Sequence, residues 1–329
     1  MSSLSFFHPA SVEEAHTLLA TSRMPVDSLT QRRIRSDDNL AEYFAAGRRR
    51  PEWVWGVRRD GDPAVLGVVA AFGTPDGRLL LDVFGVPADP DAARGLVARA
   101  TADALALADD VEVCVFAPAG TSLGEASLAR LAGPLAEAGW GLLVERRHYE
   151  FEPQPGLAAN ESTALTFEQL SDATDPRLAA CHREVMRDTL DAHDRELIER
   201  LGFDAACVES LNSLVTAEPV DRIHLAFDPD GDVAGMVSGF VQPNLRSVVA
   251  FVGVPHDHRG HGYGRQLLAW QTQRLLAGGA TTLIADTDNE NLPMARAFAD
   301  VGWEQTETRI DLVHGGEVVG AAVAAGSSR

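Results

Sequence analysis

Lysine is absent from the 329-residue sequence, and all 28 basic side chains are arginine. That absence excludes a Walker A loop, the ATP-anchoring lysine of a kinase and a Schiff-base nucleophile. Cysteine is scarce: Cys114, Cys181 and Cys207 lie too far apart for a CxxC knuckle or a disulfide framework, and are expected as buried thiols. No apolar run approaches the roughly 20 residues that span a bilayer, so no membrane partner is expected. The opening residues, MSSLSFFHPASVEEA, carry no basic start and no long apolar stretch. No secretion signal is read there, and the expected location is cytoplasmic. Positive charge is also short, with 28 arginines against 48 acidic residues for a net charge of −20. A nucleic-acid partner wants a basic face, so none is expected; a cationic small molecule is the more natural guest. An acidic surface that merely aids solubility accounts for the same charge.

What is present describes an ordinary globular chain, 45% hydrophobic and 23% charged. At roughly 150 residues per domain the length suggests about two domains. One arrangement is in fact written twice. WVWGVRRDGDPAVLGVVAAF, RLLLDVFGVP, an alanine-rich helical stretch and AGWGLLVERRHYEF are answered by RIHLAFDPDGDVAGMVSGF, SVVAFVGVP, a second helical stretch and VGWEQTETRIDL. Gly85-Val86-Pro87 and Gly253-Val254-Pro255 stand 168 positions apart, and Gly139-Trp140 and Gly302-Trp303 stand 163 apart. Such near-constant offsets indicate a tandem domain.

The Asp60-Gly61 and Asp230-Gly231 turns each sit between two apolar or alternating runs, a strong hairpin signal. Strands are predicted at 52–58, 64–73 and 79–86, and again at 222–228, 232–241 and 247–254. Apolar spacing predicts helices at 91–108, 125–138, 264–277 and 292–301, with strands at 111–116 and 281–286. Each half is therefore mixed α/β. Residues 152–160, with two prolines and a glycine, read as a linker. The expected division is 1–155 and 160–315, followed by a tail at 316–329 that frays. Residues 156–329 carry 13 arginines against 26 acids, whereas residues 1–155 carry 15 against 22, so the second half is the more acidic.

That acidic half nevertheless contains a loop suited to an anion. Residues 254–265, VPHDHRGHGYGR, end a predicted strand and open a helix. Glycine tolerates positive φ and close approach, so Gly260, Gly262 and Gly264 let backbone N–H groups converge, and the helix start adds its positive end. Arg259 and Arg265 offer further charge. A Rossmann turn would need Gly or Ala where Arg265 stands, and an early βαβ unit. Here antiparallel strands lead into the loop, and Arg259, Gly262 and Gly264 satisfy Arg-x-x-Gly-x-Gly.

At these residues the second half resembles the GNAT superfamily of acyl-CoA-dependent N-acyltransferases. The likeness covers about residues 163–315: the strand 251–254, the 259–264 loop, Asn291 opening the next helix, and Gly302-Trp303 where the family usually has Gly-Phe. The first half keeps the layout without the loop. The whole is thus expected as α/β of the α+β kind, tandem GNAT-like domains, each a mixed, mostly antiparallel sheet flanked by helices, similar to mycothiol synthase-like two-domain members. The resemblance implies acetyl-CoA as co-substrate, no metal, and a primary amine of a small molecule as acceptor. It implies that backbone groups of Val252 and Val254 pair with pantetheine, and that amides of Gly260, His261, Gly262, Tyr263, Gly264 and Arg265, beside Arg259, hold the diphosphate. Asn291 serves as helix cap, as cofactor contact, or as both. The strand is expected to splay from its neighbour, opening a slot where thioester and amine meet, with an N–H near Val252 for the oxyanion.

In the first half the corresponding residues 86–95, VPADPDAARG, place two carboxylates and an amide-less proline in the anion cradle, so that half is expected not to bind CoA. Many family members carry a proton-donating tyrosine where Phe298 stands, which leaves the general acid unassigned. A general base must take the amine's proton. Segment 182–196 offers Glu184, Asp188, Asp191 and His193, and the strand end offers Asp286 and Asp288; Glu184, Asp188 and Asp286 are the leading candidates. Four rival readings stand beside this. His256, His258 and His261 resemble metal spacing; residues 286–291 are like a calcium loop without its sixth-position glycine; Gly120-Thr121-Ser122-Leu123-Gly124 matches the nucleophile elbow of a serine hydrolase; and a chain lacking the tyrosine could bind acyl-CoA without turnover, as a sensor or structural partner.

Overall fold

The computed structural model describes residues 3–26, 28–74, 77–153, 164–217, 219–241 and 246–316. Most of the predicted linker and tail lies outside these residues. The chain divides into two compact units, one formed by Met1–Glu145 with Glu307–Arg329, the other by Arg146–Thr306.

In chain order the first repeat contributes β1 (Leu4–Phe7), α1 (Val12–Thr21), α2 (Leu29–Ile34), α3 (Asp37–Ala45), β2 (Val54–Arg59), β3 (Val65–Gly73), β4 (Leu79–Gly85), α4 (Pro90–Leu107), β5 (Val111–Pro118), α5 (Ala129–Glu137) and β6 (Trp140–Phe151). The second contributes β7 (Thr166–Gln169), α6 (Pro176–Met186), α7 (Ala192–Leu201), α8 (Phe203–Ala217), β8 (Ile223–Phe227), β9 (Val233–Val241), β10 (Arg246–Gly253), α9 (Tyr263–Ala277), β11 (Thr282–Asp288), α10 (Leu292–Val301) and β12 (Glu304–His314). Every strand and helix predicted from periodicity is present within a few residues; the segment predicted as a helix from 125 begins as a 3₁₀ turn at Ala126–Leu128. The helices α1–α3 and α6–α8 were not among the predicted elements.

The first unit's sheet runs β1-β2-β3-β4-β5-β12, antiparallel except for the β4–β5 pair. The alanine face of α4 (Ala93, Ala100, Ala104) lets the helix lie close on the sheet, where it joins Trp55, Leu81, Val113 and Trp140 in one core. The second unit's sheet runs β6-β11-β10-β9-β8-β7, parallel only between β10 and β11. On one side Leu268 and Leu275 of α9 join Tyr149, Phe298 and Trp303. On the other, Leu178 and Cys181 of α6 join Ile223, Leu225 and Met236. All three cysteines are buried and free.

The last strands are exchanged. Residues 146–151, which end the first repeat, pair antiparallel with β11 of the second unit, from Arg146 opposite Asp288 to Phe151 opposite Leu283. Residues 307–313, which end the second repeat, pair with β5 of the first unit.

Each unit also carries the same irregularity. Strands β10 and β11 are paired only from Arg246↔Thr282 to Val248↔Ile284, and the β9–β10 register slips between Val249 and Phe251, leaving Ala250 as an extra residue. A bulge bends its strand and sharpens the local twist. Residues 249–253 accordingly leave β11, and a cleft opens between the two strands. In the first unit β4 and β5 pair from Leu79↔Val111 to Leu81↔Val113, and Asp82 is the extra residue.

Candidate functional site

The cleft between β10 and β11 of the second unit has a volume of ≈ 610 Å³. One wall is residues 249–254, another is Ala285, Asp286 and Thr287, and the floor includes Ala297 and Phe298. Alternate backbone groups along a strand point to either side. Beyond Val248 the groups of β10 that face away from β9 therefore meet the cleft and not a strand. Val252 and Val254 both line it.

Part of the lining is the glycine loop. Gly262 is the N-cap of α9, with φ 74° and no side chain to cap the helix. Gly260 has φ 85°. A Cβ at either position would meet nothing within 4 Å, so the backbone there borders open space. Gly260, Gly262, Tyr263, Gly264 and Arg265 line the cleft, which gives it an uncapped helix start, the arrangement that receives anions. Arg259 lines the cleft as well. It donates to the carbonyls of Val185 (2.8 Å), Asp188 (3.0 Å) and Val254 (3.3 Å), tying the loop to the end of α6. His261 does not line the cleft; its ring stacks on Tyr263 with centroids 5.6 Å apart, and its Nδ1 lies 3.2 Å from the His258 carbonyl. Asn291 borders the cleft and caps α10, its Oδ1 accepting from Met294 N at 3.2 Å.

Carboxylates also line the cleft. Asp286 lines the cleft, and its Oδ1 is 2.7 Å from Nδ1 of His148, the residue opposite it on β6. The His148 side chain is 3% exposed. Burial pulls its pKa down, yet Asp286 and then Glu150, 3.8 Å from Nε2, raise it to about 9. Glu150 in turn meets Arg246 of β10 at 3.4 Å. The next pair on the same face of the ladder is Arg146 and Asp288, Nε to Oδ1 at 2.9 Å, and Arg146 also reaches Asp191 at 2.9 Å. Asp191 caps α7 by accepting from His193 N (2.9 Å) and Asp194 N (3.2 Å). Burial opposes ionisation of Asp191, but Arg146 and His193 hold its carboxyl below the ordinary range. Asp194, which also lines the cleft, is pushed up to about 6 by burial and by the Asp191 charge.

The predicted base candidates thus separate. Asp286 and Asp191 line the cleft. Glu184 does not; it pairs with Arg187 at 2.9 Å. Asp188 does not line it either, because its backbone takes a left-handed turn (φ 48°) and its exposed carboxylate meets His256 Nε2 at 3.3 Å. His193 lies against Arg146 Nη2 at 2.8 Å, and Asp288 is buried behind the rim. Arg146, His148 and Asp194 were missed. The first two, with Glu150, obey the period-2 alternation of VERRHYEF, a signal readable only once the strand's neighbour is known.

Phe298 is 2% exposed and stacked on Tyr149, centroids 4.3 Å apart. The histidines of the loop part company: His256 goes to Asp188 and Asp257, while His258 lies 3.7 Å from Asp228. Among the described residues no group of three or more His, Cys, Asp or Glu is placed to hold a metal ion. The Ser122 hydroxyl, in the first unit, donates to Glu145 at 2.6 Å.

The first unit's corresponding space, bounded by Asp82, Phe84, Val115 and Phe116, measures ≈ 20 Å³. It is filled by the chain before and within α2. The Gln31 amide donates to the Asp82 carbonyl, and Leu29 N and Thr30 N donate to the Glu307 carboxylate at 2.7 and 2.9 Å. At the start of α4 the Asp89 carboxylate accepts from Asp91 N and Ala92 N, beside Pro90.

Residues 181–303 match the acetyltransferase (GNAT) family. The chain is similar over its length to a crystal structure of a GCN5-related N-acetyltransferase from Sphaerobacter thermophilus, at 16% identity and TM-score 0.59, covering 96% of this chain and 97% of that one. It is also similar to a tandem GNAT protein from the clavulanic acid biosynthesis pathway, at 15% identity and TM-score 0.55, covering 96% and 99%. At these identities the likeness is one of fold, and that fold is the tandem one. Comparison with curated proteins gives no match. No helix among the described residues is long and apolar enough to cross a membrane.

Proposed function

The chain carries a GNAT acetyltransferase domain, whose family moves acyl groups from acyl-CoA, and from that premise we propose that the second unit transfers an acetyl group from acetyl-CoA to a primary amine of a small molecule. The observation that carries the reading is the mixed lining of one cleft. An uncapped helix start and Arg265 border it, and so do Asp286, Asp191 and Asp194. An anionic diphosphate and a cationic amine suit these two sets of groups, which also reconciles an anion loop with the more acidic half of the chain.

The residues divide the work accordingly. Amides of 260–265 hold the diphosphate, and the unpaired edge of β10 at Val252 and Val254 aligns the pantetheine arm as an added strand. When bound, the thioester supplies the activated acyl carbon. Asp286 attracts the ammonium form of the acceptor; the ammonium gives up one proton to water, the free amine attacks the acyl carbon, and Asp286 takes the second proton from the nitrogen as the amide bond forms and the carbon–sulfur bond breaks, the sulfur leaving as thiolate. Holding the two partners in line is worth as much as about 7–11 kcal/mol of barrier. Phe298 has no proton to give, and a thiol of reference pKa near 8.5 leaves tolerably as thiolate. The first unit binds no cofactor, because Gln31 already bonds the carbonyl at the bend of β4 and Asp89 already caps the start of α4.

Thiol release from acetyl-CoA, measured across a panel of small mono- and diamines, tests the assignment, with calorimetry of CoA binding alongside. Release with at least one amine is expected, with binding lost in Gly262→Asp, which sets a carboxylate in the cradle. Binding without release from any amine would identify an acyl-CoA sensor, and unchanged affinity in Gly262→Asp would move the cofactor elsewhere.

A further inference from the structure

The acyl-transfer reading gives Asp286 a proton to accept, but leaves open what keeps that carboxylate ionised and aimed into a half-closed cleft. Its partner is His148, and three observations define their relation. The two face each other across the β6–β11 ladder, so backbone pairing fixes their separation before any side chain moves. The Nδ1···Oδ1 distance is 2.7 Å, short enough for a charge-assisted bond. Exposure is divided: the His148 side chain is 3% accessible, whereas that of Asp286 is 19% accessible and borders the cleft.

We propose that His148 is a positioning residue for acyl transfer, held behind Asp286 so that it keeps that carboxylate charged and turned toward the acceptor nitrogen. The proposal rests on the function argued above. His148 itself donates no proton to the reaction. From β11 Asp286 faces it, from its own strand Glu150, and from β10 Arg246 completes the row. The four charges sum to zero, so the row is stable in a buried place as a set and not as parts. The proton that the attacking amine loses as the amide bond forms ends on Asp286 and passes through water to the departing thiolate, the first proton of the ammonium having gone to water before attack.

The strand that carries His148 closes the first repeat in sequence, yet residues 146–151 belong to the second unit's sheet. A copy of the second repeat beginning after the linker would lack both His148 and Arg146. The tandem arrangement thereby acquires a catalytic reason, since one repeat completes the charge balance at the other's cleft.

Two measurements on the full chain test this. The first is a titration of His148 by NMR on protein with labelled imidazoles, in the native chain and in Asp286→Asn. His148 is expected to stay protonated to about pH 9 natively and to lose its proton at least one unit lower in Asp286→Asn. Titration near 6.5 in both would overturn the pairing. The second is the pH dependence of kcat/KM in His148→Gln, which keeps a hydrogen-bond donor and removes the charge. An adjacent opposite charge depresses a carboxylate by about 1–3 units, so the acid limb is expected to move up by about that amount. An acid limb that stays in place would reduce His148 to a structural residue. If His148→Gln does not fold, the titration arm decides alone. A native chain that releases no thiol with any amine would sink the transferase reading, while the titration would still report on the pair.

Discussion

Gly264→Ala is the cleanest perturbation of the anion cradle, because its effects on folding and on binding carry opposite signs. Gly264 is the second residue of α9, its φ is not in the left-handed region, and an added Cβ would meet only Val254 Cγ2, at 3.9 Å. That is ordinary contact and forces nothing to shift. Alanine is the better helix former by as much as about 1 kcal/mol, so unfolding free energy is expected to hold or rise. The methyl group, however, enters the lining of the cleft in the helix's first turn. Losing one charge-assisted contact between backbone amide and diphosphate costs about 1.5–3 kcal/mol, or roughly 10- to 150-fold in Kd. Gly262→Ala is the matching contrast, since its φ of 74° adds about 1–2 kcal/mol of strain to any side chain. Calorimetric titration with CoA and urea unfolding of both variants separate the two effects. A Gly264→Ala protein of native stability and native CoA affinity would refute the cradle.

Three further outcomes are expected. Calorimetry should return one CoA per chain, and two would show that the first unit's smaller space opens. Asp82→Ala leaves Arg49, whose guanidinium bonds Asp82 at 3.0 and 2.6 Å, buried without its partner; unfolding in urea should lose about 3–5 kcal/mol with CoA affinity unchanged. The folded pKa of His148, about 9 against 6.5, gives stability that is full below 6.5 and lost as pH rises through 9. At about 1.4 kcal/mol per unit, the native chain should lose roughly 3 kcal/mol between pH 6 and 9.5 in urea unfolding, and His148→Gln should be flat there.

Strand and helix periods made the repeated part of the fold readable. Gly61 and Gly231 do turn with positive φ between the predicted strands, and the helix at 292–301 begins at the Asn291 cap and ends at Gly302 as written. The 254–265 loop was equally legible, because glycine spacing constrains backbone directly. Side-chain chemistry was not. Glu184 and Asp188 sit in the segment that turned out to border the cleft, but a helix shows only one side to it, and α6 ends before Asp188 in a left-handed turn. Arg259 looks like a phosphate ligand in a linear sequence, and in the fold it borders the cleft while also donating to three carbonyls of its own chain, a tie that no sequence pattern announces. The exchange of last strands was invisible for a deeper reason: pairing partners are long-range, and AGWGLLVERRHYEF carries the same alternation whichever sheet it joins.

The two repeats begin from one architecture and part company over what their own chains put in the cleft. Both split their parallel strands after three paired residues, and both carry an extra residue at the bend, Asp82 in one and Ala250 in the other. At Asp82 the carboxylate recruits Arg49 and the carbonyl receives Gln31, so backbone polarity that a ligand could have used is spent internally. At Ala250 there is only a methyl group. The same contrast holds at the following helix, where Asp89 supplies an anion of its own to α4 and Gly262 supplies nothing to α9. Because a buried polar group must find a partner, each of these small choices is a choice between a stable interior and a binding site. The sizes of the two spaces, ≈ 20 and ≈ 610 Å³, follow from that chemistry even though strand order is preserved. Restoring glycine to the first unit's loop without also removing Gln31 and Asp89 should therefore leave its cleft closed to CoA, a negative calorimetric result that only the combined substitution would reverse.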